Sequence, residues 1–195
     1  MLFKVRFQPI VDTFMDENIG FESTVCGEHG ESAAVLFDYY SKDCANFDLL
    51  AIRKSIDKGF PLLQSKEKLF INVHPETLSW GGIIMPEVDP SKVIIEITEA
   101  TKITTSIRDS IENLANRGFQ FAVDDFGIHH SNINRLTLKW FRPAWIKLDR
   151  TIIKDVDTDA RVEIIVKHTL DLCAELGIEL LAEGVETQTQ LLKLM

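Results

Sequence analysis

Short apolar runs rich in β-branched and aromatic residues recur along the chain with helical segments between them, and this alternation constrains the fold more than any other feature. The pattern is typical of βα architectures. Because most runs contain few alternating polar positions, the strands are expected to be parallel and buried under helices, in a barrel or a doubly wound sheet. Seven strands are predicted, over Lys4–Val11, Gly20–Val25, Lys68–Val73, Lys92–Thr98, Phe119–Asp124, Trp145–Leu148 and Glu179–Ala182.

Apolar residues at helical spacing predict helices between the strands, for example over Thr105–Arg117 and Ala160–Leu176, with Gly177 suited to cap the second. A chain of 195 residues, 45% of them hydrophobic, is long enough for one sizeable core and too short for two comfortable domains. Residues 1–195 are therefore expected to form a single domain.

The charge and the cysteines argue against several classes of protein. With 30 acidic and 21 basic residues, the net charge of -9 repels DNA and RNA unless cations offset it. No stretch approaches the roughly 18 apolar residues of a membrane span. Cys26, Cys44 and Cys173 are widely spaced and lack a CxxC pattern, so neither a disulfide framework nor a zinc site is predicted. A reducing, cytoplasmic compartment is expected.

Polar side chains lie in or directly after six of the predicted strands, and in a barrel such strand ends open on one mouth. Carboxylates in or after an apolar strand are costly to bury unless they are paired, protonated or bound to a cation. Oxygen ligands without a matching set of His or Cys predict Mg²⁺ or Mn²⁺ rather than zinc. The set consists of Glu22, Asn72, Glu96, Asp124, Asp125, Lys147, Asp149 and Glu183.

This set suits phosphodiester chemistry. Adjacent Asp124 and Asp125 can serve two ions, which together stabilise the attacking and leaving oxygens of an in-line displacement. Lys147 can orient the attacking water or stabilise charge on the phosphorane, and Asp149 can position that lysine or accept a proton. Taken singly, each residue has a plainer interpretation: a strand-end carboxylate as a solvated edge or helix cap, Asn72 as a turn former, and Lys147 as a surface residue.

Six motifs occur in order along the chain: FQPIVD at 7–12, FINV at 70–73, IEITEA at 95–100, DDFG at 124–127, IKLD at 146–149 and AEGVET at 182–187. Together they resemble the EAL family of cyclic di-GMP phosphodiesterases. The resemblance implies an α/β fold, a TIM-like (β/α) barrel of EAL type with an antiparallel first strand. It further implies that cyclic di-GMP is opened to linear pGpG with two Mg²⁺ or Mn²⁺ ions, in a protein that can form a homodimer.

The resemblance also implies roles for individual residues. The implied metal ligands are Glu22, Asn72, Glu96, Asp124, Asp125 and Glu183. Lys147 matches the lysine that activates the water, and Glu99 matches the glutamate that anchors the loop after strand five. The catalytic residues are then expected to be Lys147, Asp149 and Glu183, and the substrate contacts Gln8, Asp48 and Asp125.

The sequence departs from the family pattern at three places. Cys26 stands where the family has an arginine that contacts phosphate, a charge-assisted contact worth about 1.5–3 kcal/mol. His129 replaces a glycine after DDFG, and we interpret His129 and His130 as solvent-facing rather than as metal ligands. No eighth strand follows the seventh, so the barrel is expected to be incomplete at the C-terminus; either the chain is a fragment, or a partner or second copy completes it.

Three functions remain as hypotheses. The first is hydrolysis of cyclic di-GMP at a two-metal site, favoured by the retained carboxylates and Lys147. The second is a catalytically inactive EAL module that binds cyclic di-GMP or a protein partner as a signalling receptor, favoured by the departures. The third, a barrel enzyme of unrelated chemistry such as metal-assisted enolisation, is disfavoured by the ordered motifs.

Overall fold

The computed structural model describes residues 1–80, 85–98, 101–127 and 133–195. They group into two compact units, one of Met1–Ile97 with Thr101–Gln120 and one of Thr98–Ala100 with Phe121–Met195. We call these unit 1 and unit 2. That residues 1–195 form a single domain stays a prediction. Among the described residues, no helix has both the length and the apolar character needed to cross a membrane.

Unit 1 is built on four strands, of which the first is antiparallel to the second and the others run parallel. The strands are β1 (Phe3–Asp12), β2 (Glu17–Gly27), β3 (Lys68–Asn72) and β4 (Val93–Thr98). The helices are α1 (Ala33–Tyr39), α2 (Cys44–Gly59), α3 (Pro75–Ser79) and α4 (Thr105–Asn116). The antiparallel pairing of the first strand, which the family resemblance implied, is confirmed.

Continuous apolar sequence in β3 and β4 places both strands in the core of unit 1. Phe70, Ile94 and Ile95 are completely buried, as expected for parallel strands that are covered on both faces. Strand β2 approaches β3 so closely that a Cβ atom at position 20 would lie 2.0 Å from the Lys68 carbonyl oxygen. Glycine at position 20 therefore fixes the spacing of the two strands just before Glu22.

The turn between β1 and β2 explains why β2 begins three residues earlier than its apolar run predicts. The Asp12 side chain accepts hydrogen bonds from the backbone N–H groups of Phe14 and Met15, at 2.8 and 3.0 Å. Asp16 then adopts a positive φ of 52°, which aspartate tolerates better than most residues. The resulting hairpin pairs Asp12 with Glu17 and extends the strand beyond its apolar part.

Unit 2 contains three parallel strands, β5 (Gln120–Phe126), β6 (Trp145–Leu148) and β7 (Glu179–Ala182). Its helices are α5 (Ile133–Leu136), α6 (Arg150–Ile153), α7 (Ala160–Leu176) and α8 (Gln188–Leu194). Gly177 caps the C-terminus of α7 with a left-handed φ of 68°, as its sequence position predicts. The core is formed by Leu148, Ile153, Val156 and Val166, with Phe126 and Leu180 packed against it.

Candidate functional site

Unit 1 brings three of the predicted ligands together, and we call Glu22, Asn72 and Glu96 cluster 1. The Asn72 Nδ2 atom donates a hydrogen bond to Glu96 Oε2 at 2.7 Å and lies 3.5 Å from Glu22 Oε1. Asn72 and Glu96 are register partners on neighbouring parallel strands, so their side chains leave the same face. The amide of Asn72 thus joins carboxylates from two other strands.

Glu96 is the most deeply placed member of cluster 1. Its side chain is 0% exposed and lies in β4 between Ile95 and Ile97, which are equally buried. A carboxylate taken out of water costs several kcal/mol unless hydrogen bonds or positive charge compensate it. Asn72 supplies a neutral donor, and a divalent cation is the kind of partner that would neutralise the charge itself.

Unit 2 brings together Asp124, Asp125 and Glu183, which we call cluster 2. Each offers a carboxylate oxygen, and these oxygens all lie within 4.8 Å of one another. The Lys147 Nζ atom lies 3.1 Å from Asp124 Oδ1 and 2.6 Å from Glu183 Oε1. Since Lys147 is only 1% exposed, the interpretation of this lysine as a surface residue is wrong.

A bulge in β5 explains how two adjacent aspartates can belong to one cluster. In a regular strand, successive side chains point to opposite faces. The register of β5 against β6 shifts between Val123 and Phe126, so that β5 carries one extra residue. Asp125 lies in this bulge and has a left-handed φ of 56°. Its backbone N–H donates a hydrogen bond to Asp124 Oδ1 at 3.0 Å.

Glu183 reaches cluster 2 because the chain keeps pairing with β6 beyond the end of β7. The Glu183 backbone N–H donates to the Leu148 carbonyl at 3.0 Å. Gly184 follows with a φ of 69°, and the Arg150 side chain packs where a Cβ atom would stand. These contacts turn the chain sharply after Glu183 and hold its carboxylate beside Lys147.

Of the predicted substrate contacts in unit 1, Gln8 is exposed and Asp48 is buried. Gln8 lies directly opposite Glu22 in the antiparallel pair of β1 and β2, on the same face. Asp48 lies in α2, where its Oδ2 atom accepts a hydrogen bond from the His74 backbone N–H at 2.9 Å. Burial raises the pKa of Asp48 above its ordinary value, and the bond from His74 opposes part of that rise. Both substrate roles stay predictions.

Asp149 caps the short helix α6 in the structure. Its Oδ1 atom accepts a hydrogen bond from the Thr151 backbone N–H at 2.6 Å and another from the Thr151 hydroxyl. This is the helix-cap interpretation that a strand-end carboxylate allows, and its predicted catalytic role stays a prediction. Glu99, predicted to anchor a loop, and His129 and His130 lie outside the described residues.

The position expected to carry a phosphate-binding arginine is occupied by a buried thiol. Cys26 is 5% exposed, so it presents no cation and little polar surface. Nearby in β2, the Ser23 hydroxyl donates to the Ser55 hydroxyl at 2.7 Å within the interior. The part of β2 that carries Glu22 is thus well packed, and around Cys26 the strand stays in continuous register with β1, from Gly20 to Gly27.

The donor atoms of both clusters fit Mg²⁺ or Mn²⁺. Both sets contain only carboxylate and amide oxygens as ligands, which hard divalent cations prefer. Sequence reasoning identified every member of the two clusters because each lies in or just after an apolar strand. Sequence reasoning missed the bulge at Asp125. The sequence signal for it is weak: an aspartate followed by Phe126 and Gly127 at the end of the apolar run of β5.

Comparison with known proteins adds a family to this geometry. Residues 2–195 match the family model described as the EAL domain. The chain is 34% identical over 154 residues to the cyclic di-GMP phosphodiesterase RocR of Pseudomonas aeruginosa. This alignment covers 73% of this chain and 37% of RocR. It is 26% identical over 193 residues to the blue light- and temperature-regulated antirepressor BluF of Escherichia coli, covering 93% of this chain and 47% of BluF.

A solved structure agrees with these matches. Klebsiella pneumoniae BlrP1, in a manganese and cyclic di-GMP complex, superposes with a TM-score of 0.87 and 28% identity over 98% of this chain and 51% of BlrP1. The chain therefore spans about half or less of the length of these relatives. The predicted fold class, an α/β fold of EAL type, is confirmed. Because the family model covers nearly all of its residues, the chain belongs to the EAL domain family.

Proposed function

We propose that this chain hydrolyses cyclic di-GMP to linear pGpG, with clusters 1 and 2 as sites for two Mg²⁺ or Mn²⁺ ions. The observation that carries the proposal is the burial of Lys147 between Asp124 and Glu183, two carboxylates of a cluster whose candidate metal ligands are all oxygens. Burying an ammonium group is costly, and nothing in the packing of an apolar strand requires a lysine at that place. Ionisable groups that are buried beside specific charge partners are candidates for catalytic residues.

Charge supports the involvement of cations. Cyclic di-GMP carries two phosphates, and a chain with a net charge of -9 repels such a ligand unless positive charge is placed between them. Each cluster adds its own carboxylates to that negative charge. Bound divalent ions would offset that repulsion, polarise the phosphate and lower the pKa of the attacking water.

The side chains of this chain then have separate tasks. The carboxylates and the Asn72 amide oxygen would hold the ions, and Gln8, which lies opposite Glu22, would contact the dinucleotide. The Lys147 ammonium group donates hydrogen bonds, so it can orient the attacking water or stabilise negative charge that develops on the phosphate. Relatives support the proposed activity and the use of divalent cations, since RocR is named as a cyclic di-GMP phosphodiesterase and BlrP1 was solved with manganese and the dinucleotide.

A second candidate function is a signalling receptor that binds cyclic di-GMP or a protein without hydrolysis. The observation that favours it is Cys26, a buried thiol at the place expected for a phosphate-binding arginine. A missing charge-assisted contact of about 1.5–3 kcal/mol weakens phosphate binding tenfold or more. BluF, which matches 93% of this chain, is named as an antirepressor.

Turnover assays separate the two functions. The full chain is incubated with cyclic di-GMP and Mg²⁺ or Mn²⁺, and pGpG is quantified by chromatography. We expect product with either cation and none with EDTA. Lys147→Met and Glu22→Gln should each lower kcat about 100-fold or more, the range for loss of acid–base and electrostatic groups. The exposed residues Lys154 and Glu17 supply matched controls, Lys154→Met and Glu17→Gln, which should keep full activity.

Two results would contradict the phosphodiesterase proposal. Absence of pGpG while calorimetry detects binding of the dinucleotide would favour the receptor. Absence of both turnover and binding would favour a role in protein interaction.

We further propose that the protein acts in the cytoplasm as a homodimer. Three buried free cysteines suit a reducing compartment. Light scattering on the full chain, with and without cyclic di-GMP, tests the dimer; a monomeric mass under both conditions would contradict it.

A further inference from the structure

A third group of ligand side chains lies in unit 1 and differs in chemistry from both oxygen clusters. Cys44, His74 and Glu76 each offer one ligand atom, and these atoms lie within 4.8 Å of one another. The Cys44 Sγ atom lies 3.2 Å from His74 Nδ1. We call these three residues the thiol cluster.

Rigid neighbours hold the members of the thiol cluster in place. Cys44 is the first residue of α2, and His74 directly precedes α3. The backbone of His74 is anchored by its hydrogen bond to Asp48, and its ring stacks on Phe37 with centroids 5.0 Å apart and planes 16° from parallel. Ligands whose orientation is fixed by such contacts need little rearrangement to bind an ion.

Exposure increases across the thiol cluster from one ligand to the next. Cys44 is buried, His74 is half-buried and Glu76 is exposed. An ion therefore has an entry path from the side of Glu76, and a water molecule can complete the coordination there. Three protein ligands with one open position is a common arrangement for zinc.

We propose that Cys44 Sγ, His74 Nδ1 and the Glu76 carboxylate bind one divalent cation of the zinc class. A thiolate and an imidazole select zinc and related transition metals over Mg²⁺, in contrast to the oxygen ligands of clusters 1 and 2. On binding, a sulfur–metal bond replaces the S–H bond of Cys44, and the proton leaves to solvent. With metal–ligand bonds of about 2.3 Å to sulfur and about 2.0 Å to nitrogen, the observed separation of Sγ and Nδ1 is close to that of two ligands sharing one ion.

The thiol cluster has a simpler interpretation, in which His74 only caps α3. Its Nδ1 atom accepts a hydrogen bond from the Glu76 backbone N–H at 3.2 Å. Capping accounts for the position of the imidazole, but it requires neither a cysteine sulfur beside Nδ1 nor a carboxylate oxygen within 4.8 Å of a ring nitrogen. The proposed ion would take the lone pair that now accepts this long hydrogen bond.

Cobalt spectroscopy tests the site on the full chain. Metal is removed with a chelator, the oxygen clusters are filled with excess Mg²⁺, and Co²⁺ is titrated while thiolate-to-metal absorption is recorded. That absorption requires a cysteine ligand, which clusters 1 and 2 lack, so the result is independent of cyclic di-GMP turnover. We expect the band to saturate at one equivalent and to disappear when Zn²⁺ is added.

Matched variants identify the ligands. Cys44→Ser should abolish the band, while Cys26→Ser and Cys173→Ser, at the other two buried thiols, should retain it. Glu76→Gln should weaken Co²⁺ affinity about tenfold or more, and Glu87→Gln, at another exposed glutamate, should not change it. His74→Gln should behave as Glu76→Gln does, with His29→Gln as its control.

Several outcomes would overturn the proposal. They are the absence of a band in the unaltered chain, a band that survives Cys44→Ser, and an unchanged affinity in Glu76→Gln. Because Glu76 is exposed, its substitution leaves the core intact and remains decisive if Cys44→Ser fails to fold.

Discussion

Cluster 1 and cluster 2 present similar oxygen ligands on very different backbones. In cluster 1, Asn72 and Glu96 lie in register on regular strands, and a neutral amide connects the carboxylates. In cluster 2, Asp125 sits on a bulge with a positive φ, and the buried ammonium group of Lys147 connects Asp124 with Glu183. The two clusters thus differ in backbone regularity and in how their negative charge is compensated.

The difference has a geometric cause. A regular strand places only alternate residues on one face, so each strand of cluster 1 contributes a single ligand. Adjacent ligands require an irregular backbone, and the bulge in β5 provides it. Cluster 2 therefore contains three carboxylates where cluster 1 contains two, and the buried ammonium group of Lys147 compensates part of their charge.

The largest expected effect on stability follows from removal of the Lys147 ammonium group. In EDTA, Lys147→Met should lower the free energy of unfolding by about 3 kcal/mol, because two carboxylates lose their buried partner. The value lies at the low end for buried pairs because the Glu183 side chain is 26% exposed. Urea denaturation measures it, with Lys154→Met expected to change stability by less than about 0.5 kcal/mol. A loss below about 1 kcal/mol for Lys147→Met would mean that the charges of cluster 2 are not coupled.

A smaller effect is expected when cluster 1 is made to resemble cluster 2 in charge. In EDTA, Asn72→Asp should destabilise the chain by about 2 kcal/mol, because Glu96 loses a donor and gains a like charge. Added Mn²⁺ should reduce this difference, since the new carboxylate is a good ligand. Asn113→Asp, on an exposed helix position, is the control. Equal destabilisation with and without Mn²⁺ would argue against a cation in cluster 1.

The smallest effect concerns the backbone alone. Asp125→Gly should be more stable than Asp125→Ala by about 1 kcal/mol, because a left-handed φ costs an L-residue that amount. Glu96 lies on a regular strand, so there the order should reverse: Glu96→Gly should be less stable than Glu96→Ala by about 0.5–1 kcal/mol. Thermal unfolding in EDTA measures both pairs. The same order at both positions would contradict the bulge.

The strands and the members of the two clusters were predictable because both depend on pattern. Apolar runs located all seven strands, and the polar residues that interrupt or end them are Glu22, Glu96, Lys147 and their neighbours. The conformation of Asp125 was not predictable, because a single backbone dihedral does not alter the hydrophobic pattern. The thiol cluster was missed for another reason: Cys44 and His74 are 30 residues apart and meet through the packing of α2 against β3 and α3.

The bulge at Asp125 also bears on how such a chain can evolve. A strained backbone persists only while selection on function outweighs its cost. In a lineage that no longer needs cations at cluster 2, nothing would oppose glycine at position 125 or a return to a regular strand, and either change would increase stability. Asp125 is therefore expected to persist where cluster 2 still binds cations, whereas the apolar residues of β5 reflect only the fold.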